Sequence, residues 1–501
     1  MKKIFFSIVL AAVVLILPQS CSKDFLEVQP TNSIAEASVF TTTENAWAAL
    51  NGIHRMLFAQ NGAARASGRM DEAGQSGMMI HVEMLGEDIV NPTTGNGWFI
   101  APARWLAHTN ENSVLPYFAY RFYYRVISNA NMIINNVDEA DGPVADRNAI
   151  KGQALVYRAW AHYNMVRLFG KRYDWTATPN TQPGIPIMID NTFDGGPRAT
   201  VEDVYGQVRQ DLNQAITLLE AMPWGSRAKS HIHQRAAKGV RARVALTTGE
   251  WTLAAQLANE ARSGLSLMAP SQVLEGFNSI GNPEYIWGCE VVPDQTTYFH
   301  SFYAFMSYNF SSTNIRTNPK QINNLLYDMI PESDIRKQLW DETGENVPSP
   351  GNFAKVPYHS LKFQAAGGSD SRGDVPYMRV AEMYLIEAEA LARNGQDGPA
   401  QQVLFELVSA RDSEYVQSTN TGQALIDEIL IQRRIELWGE GFRFYDLKRT
   451  NSPLIRTGTN HNPAISVKME VPAGDNEWQW KIPRNEIDAN PFITEADQNP
   501  S

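Results

Sequence analysis

The chain has 501 residues, of which 43% are hydrophobic and 19% charged, so it has ample material for a sizeable core and is not a disordered chain. Its formal net charge of -11 disfavours nucleic acid as a partner, because phosphate binding needs a basic surface. Only 2 cysteines are present, Cys21 and Cys289, too few for a disulfide framework, so stability must come from packing.

The first predicted element is a leader. Lys2 and Lys3 precede an apolar run from Ile4 to Leu17 that only Ser7 interrupts, and Pro18, Gln19 and Ser20 follow. The run is short for a membrane span and has the grammar of a cleaved signal peptide over residues 1–20. Cys21 stands directly behind it after a small residue, as in a bacterial lipobox, though Pro18 and Gln19 are unusual there. Lipidation of Cys21 would place several acyl chains in a bilayer, each buried methylene adding roughly 0.8 kcal/mol. Residues 21–40 begin polar and acidic and read as a tether.

Beyond the tether, apolar residues recur at helical spacing. Ile150, Ala154, Tyr157, Ala161, Met165 and Leu168 predict a helix that stops at Gly170. Val201, Val204, Tyr205, Val208, Leu212, Ala215, Ile216 and Leu219 predict another, with Thr200 as its N-cap and Glu202 and Asp203 matching its dipole. Two helix-turn-helix hairpins of tetratricopeptide type are predicted, Ala236–Ala261 turning at Gly249 and Ala381–Ala410 turning at Asn394-Gly395. Small residues such as Ala242, Ala245, Ala388 and Ala392 would let paired helices approach closely. The hairpins do not repeat at a fixed period, so an interrupted array is expected rather than a clean solenoid. The interruptions are two stretches, about 61–111 and 265–374, rich in Gly, Pro, Asn, Met and aromatics. They are too long for plain connections and are expected to be functional insertions on the outside of the helices.

Several segments carry a resemblance. Cys21 with Asp24-Phe25-Leu26-Glu27 and Pro30, the helix from Arg158-Ala159-Trp160 to Phe169-Gly170, and the run Tyr377-Met378-Arg379-Val380 to Ala390 each resemble parts of the SusD/RagB-like family of starch-binding-type outer-membrane lipoproteins. The strongest match is Arg433-Arg434-Ile435-Glu436-Leu437-Trp438-Gly439-Glu440-Gly441-Phe442-Arg443-Phe444-Tyr445-Asp446, and Ile482-Pro483-Arg484-Asn485-Glu486 fits the tail. The resemblance implies an all-α, tetratricopeptide-like scaffold forming one domain over 41–501. It implies a non-catalytic lipoprotein at the outer membrane, facing the exterior, that hands nutrient ligands to a TonB-dependent, SusC-like barrel. No cofactor is implied. Oligosaccharides are the expected ligands and oligopeptides the alternative.

The candidate residues follow from ligand chemistry. Sugar rings stack their C–H faces on flat aromatic side chains, and their hydroxyls need amides, carboxylates and Arg. Asn96, Trp98 and Trp105 in the first insertion and Tyr298 and Tyr303 in the second offer that mixture, with Phe99, Arg104, Phe299 and Asn309 nearby. The two insertions are expected to converge on one face, away from the segment around Glu436 to Asp446. Two other readings are open: a glycoside hydrolase using Glu436 and Glu440, one helical turn apart, and a structural adhesin. Against the first, Arg433, Arg434, Arg443, Asp446 and Arg449 surround that pair, a pattern that usually forms a salt-bridged corner. His231 and His233 could present two metal ligands but are expected to face solvent; no metal is predicted.

Overall fold

The structure is a computed structural model that describes residues 40–60, 69–191, 194–295, 298–348 and 352–500. The leader, Cys21 and most of the tether lie outside the described residues. Among the described residues, no helix is long and apolar enough to cross a membrane.

The principal helices are α1 (Thr43–Met56), α2 (Gly74–Met84), α3 (Val114–Asn136), α4 (Val144–Phe169), α5 (Val201–Leu218), α6 (Gln234–Thr248), α7 (Trp251–Arg262), α8 (Val380–Arg393), α9 (Asp397–Ser409), α10 (Gly422–Glu436) and α11 (Arg443–Arg449). From α3 to α9 each helix packs on the next, and α10 packs on α8. The contact between α7 and α8 spans more than a hundred residues of insertion, so the helical array closes as if the insertion were absent. The scaffold is all-α and tetratricopeptide-like, as expected.

Local sequence explains the boundaries. The Thr200 hydroxyl accepts the Asp203 backbone N–H at 3.1 Å and starts α5, whose Val201, Val204, Tyr205, Val208, Leu212 and Ala215 are buried. Gly249 ends α6 with φ +80°, and Gly395 turns between α8 and α9 with φ +71°, backbone values that suit glycine. Ala242, Ala245, Ala388 and Ala392 are buried at the helix contacts. The last hairpin has its own core, in which Leu385, Leu404, Leu407 and Ile429 interlock.

The insertions do not lie wholly outside. All of α2 except Gln75 is buried, including Met78, Met79, Ile80 and Met84, and it packs on α11. Short strands continue the pattern: β1 (Ile89–Val90), β2 (Tyr285–Gly288), β3 (Gln321–Ile322), β4 (Trp340–Asp341), β5 (His359–Ser360) and β6 (Pro376–Arg379). β1 pairs antiparallel with β3, Ile89 opposite Ile322, in a four-stranded sheet of order β1-β3-β5-β4. The first insertion is thereby stitched to the second. β2 pairs with β6 and ties the second insertion to the entry of α8.

The insertions also clasp the segment they were expected to avoid. Glu83 accepts the backbone N–H groups of Gly439 (3.1 Å) and Arg443 (3.3 Å). Asp88 pairs with Arg434 at 2.6 Å, and its backbone carbonyl accepts the Trp438 indole N–H at 2.8 Å. The reason is compositional: stretches rich in Met and aromatics carry enough apolar surface to be drawn into the core.

Candidate functional site

Glu436 and Glu440 have the helical spacing of a catalytic pair but not its surroundings. Both are buried. Arg379 reaches Glu436 at 3.0 Å, Glu440 at 2.7 Å and Glu284 at 2.7 Å. Arg411 pairs with Glu284 and with Glu436 (3.2 Å), and Arg336 with Glu436 (3.2 Å) and Asp334 (2.6 Å). The Lys362 ammonium donates to Glu440 (2.7 Å) and to the carbonyls of Glu436 (2.9 Å) and Trp438 (2.8 Å). Four acids and four bases thus close a neutral knot. Burial by itself would raise the Glu436 carboxyl, but Arg411, Arg379 and Arg336 outweigh it and hold it well below the usual carboxylate range. Neither carboxylate is open to a sugar or to water, so the pair is scaffold.

The histidines were expected to face solvent and do not. The segment before α6 tucks under α1, where the His231 ring lies 4.6 Å from that of His54 and 5.8 Å from that of Trp47. His233 is buried against Trp224, with ring centroids 5.1 Å apart. Burial first, then the Arg227 charge, pushes His231 down to about 4.

The aromatic candidates divide. Trp105 is buried, donates its indole N–H to the Leu85 carbonyl at 2.9 Å, and packs edge-on to Trp478 at 4.9 Å. Tyr303 is also buried; its hydroxyl donates to the carbonyls of Phe277 and Asp374, the latter at 3.0 Å, and its ring closes on Gly373, where no Cβ would fit. Expectation put both on a binding face; they are core residues. Their neighbours Phe99, Phe302 and Phe305 are buried too, and Arg104 is spent on the Ile465 carbonyl at 2.9 Å.

Asn96, Trp98 and Tyr298 stand differently. Asn96 is exposed and Trp98 half-buried, on a loop anchored at both ends. At one end Thr93 donates to the Thr317 carbonyl at 2.7 Å, and Gly95, with φ +47°, packs so close to Asn318 that a Cβ would come within 2.9 Å. At the other, Phe99 takes φ +60° and buries its ring against Phe305 (4.8 Å) and His81 (4.5 Å). A bulky residue at positive φ is strained and is held only by surroundings that over-determine it. The strain places Phe99 inward and leaves Trp98 at the rim. The Asn96 amide donates to the Asn314 side chain at 3.2 Å, joining the loop to the second insertion.

Sequence reasoning missed Arg69. Its guanidinium stands 5.1 Å from the Trp98 ring centroid and is held in a fork by Asp71 at 2.9 and 2.8 Å. Nothing local marks it, because its aromatic partner lies 29 positions along the chain. In the second insertion Tyr298, 58% exposed and at φ +45°, stands beside Phe299, 42% exposed. The Ser371 hydroxyl holds the Tyr298 carbonyl, and Phe299 rests on buried Phe310, centroids 5.9 Å apart. The first insertion thus presents a ring, an amide and a guanidinium on an anchored loop, and the second presents two exposed rings.

Comparison with known proteins agrees with this architecture. Residues 69–246 match the family model described as "Starch-binding associating with outer membrane", and residues 290–501 match that of the SusD family. Two SusD-like proteins of Formosa agariphila are similar along their length, one 24% identical with 86% of this chain and 88% of its own covered, the other 23% identical with 95% of each covered. A solved SusD-like carbohydrate binding protein from Bacteroides vulgatus superimposes with a TM-score of 0.78 at 25% identity, covering 92% of this chain and 99% of that one. A laminarin binding SusD-like protein shares the fold, with a TM-score of 0.68 at 19% identity, covering 92% of this chain and all (100%) of that one. The scaffold, the order of the segments and these matches, taken together, place the chain: it belongs to the SusD/RagB-like family.

Proposed function

We propose that this protein captures oligosaccharides at the outer-membrane surface, without chemical turnover, and delivers them to a TonB-dependent, SusC-like barrel. The observation that carries the reading is the rim of the two insertions. Trp98, steadied by Arg69, and Asn96, tied to Asn314, offer a stacking ring beside planar polar groups. Tyr298 and Phe299 add further exposed ring area. Preformed loops lose little entropy on binding, which favours affinity. The laminarin binding SusD-like protein that shares this fold supports a glycan as the ligand class. Lipidation at Cys21 would hold the protein to the membrane.

Calorimetric titration with a panel of oligosaccharides, laminarin fragments included, tests the site. Trp98→Ala should weaken the ligand that binds by roughly tenfold or more, as loss of a stacking hot-spot ring does, and leave the melting temperature unchanged. Undiminished affinity with a lowered melting temperature would remove Trp98 from the site.

A further inference from the structure

On the helical scaffold, apart from the insertions, a groove of about 800 Å³ runs between α3, the segment Pro186–Asp190 and the C-terminal stretch from Pro483 to Asn490. That volume lies in the range of small-ligand pockets, roughly 300 to 1,000 Å³. Its walls are fastened in advance. The Tyr124 hydroxyl donates to the Pro186 carbonyl at 2.8 Å, and the Asn131 amide to the carbonyls of Met188 (3.2 Å) and Asp190 (2.8 Å). On the far side the Asn490 amide donates to the Gly196 carbonyl (2.9 Å) and to Glu486 (2.7 Å).

The floor is aromatic, and the lining carries two arginines, Arg121 and Arg125, and two acids, Asp190 and Glu486. Tyr117, Tyr120 and Tyr124 line the groove from one side of α3, the last two with ring centroids 4.8 Å apart. The Tyr120 ring is buried, and its hydroxyl lies beside Tyr124 and Glu486, which close the floor. Arg121 and Arg125, one helical turn apart, line the same groove. Among the described residues neither side chain has an ion-pair or hydrogen-bond partner, although the chain as a whole is acidic. Glu486 is engaged by Asn490 and is ion-paired with neither arginine. Two guanidinium groups without a protein partner, on the same side of α3 as the tyrosines, suit a ligand that is flat-faced and anionic: Arg matches carboxylate and sulfate oxygens in pairs, and tyrosine faces accept sugar C–H surfaces.

We infer that the α3 groove is a second carbohydrate site, for acidic oligosaccharides bearing carboxylate or sulfate groups, with Arg121 and Arg125 reading the charge and Tyr117 and Tyr124 stacking the rings. The inference stands on these observations alone and is independent of the Trp98 rim.

The test is titration, at physiological salt, of a galacturonic acid hexamer, a sulfated glucose hexamer and a neutral glucose hexamer. The proteins are the wild type, Arg121→Gln/Arg125→Gln and Trp98→Ala. Saturable binding of at least one acidic hexamer is expected, weakened at least tenfold in the double arginine variant and unchanged in Trp98→Ala. Which acidic hexamer binds distinguishes carboxylate from sulfate. If the double variant melts early, Arg125→Gln alone, at an exposed position, should still weaken binding about threefold. The inference is overturned by no saturable binding of either acidic hexamer, by equal binding to the arginine variants, or by loss of that binding in Trp98→Ala.

Discussion

Trp98 and Trp105 are the same residue type, seven positions apart, in one Gly- and Met-rich stretch, yet one sits at a rim and the other in the core. Trp105→Ala should cost about 3–5 kcal/mol of stability, as large-to-small core changes do, where Trp98→Ala should cost binding instead; chemical denaturation of both variants checks the split. The sequence did not separate them, because the difference is made by partners far along the chain: Trp478 covers Trp105, whereas Arg69 only leans on Trp98. Tyr303 misled in the same way, its hydroxyl being satisfied by Phe277 and Asp374 inside the protein. Charge at residue scale makes a separate prediction. Glu389 is buried; burial alone would raise its carboxyl, but Arg449 (2.6 and 2.7 Å) and Arg393 (2.8 Å) outweigh it and bring it down to about 2 from an ordinary 4.5. A carboxyl lowered on folding contributes stability that is fully present above about pH 4.5 and is lost as pH falls toward 2. The contribution is of order 3 kcal/mol at neutral pH. Glu389→Gln should therefore be less stable at pH 7, and its stability should fall less steeply between pH 4.5 and 2; parallel pH profiles for variant and wild type would contradict the assignment.

Helices and hairpins were legible where the signal is local. The apolar spacing of α5, the Thr200 cap and the glycine turns each sit within a few residues of what they determine. The two turn glycines allow a controlled comparison. Gly395→Ala meets open space, so it should cost only the strain of φ +71°, about 1 kcal/mol. Gly249→Ala would add a Cβ 2.6 Å from that of Trp175 and should cost clearly more. Equal denaturation midpoints for the two variants would show that the α6–α7 turn relaxes freely. The insertions were not legible, because their order comes from pairings more than two hundred residues apart, such as Ile89 with Ile322 and Asp88 with Arg434. A sequence window shows glycine, methionine and aromatic residues there, but not the distant strands and charges they pair with. The charge pattern around Glu436 was legible as a salt-bridged corner, but not the far partners Glu284, Arg336, Lys362 and Arg379 that make it a closed knot.

For the whole molecule, the order of the family's segments along the chain was enough to read the fold, while the position of a ligand on that fold was not. A protein that delivers ligand to a barrel needs a broad contact with it, upwards of about 1,000 Å² for a stable complex. Gentle detergent extraction followed by pull-down should recover a TonB-dependent barrel in near-stoichiometric amount; recovery of this protein alone, where other outer-membrane complexes survive, would contradict the delivery role. The central claim is that ligand is captured at the joined rim of the two insertions. Hydrogen exchange with and without the neutral oligosaccharide that titrates best tests it most directly. The account predicts new protection at residues 93–99 and from Tyr298 to Ser301, with α6 to α9 unchanged. Protection confined to the helical scaffold, with both insertion loops exchanging as in the free protein, would contradict it.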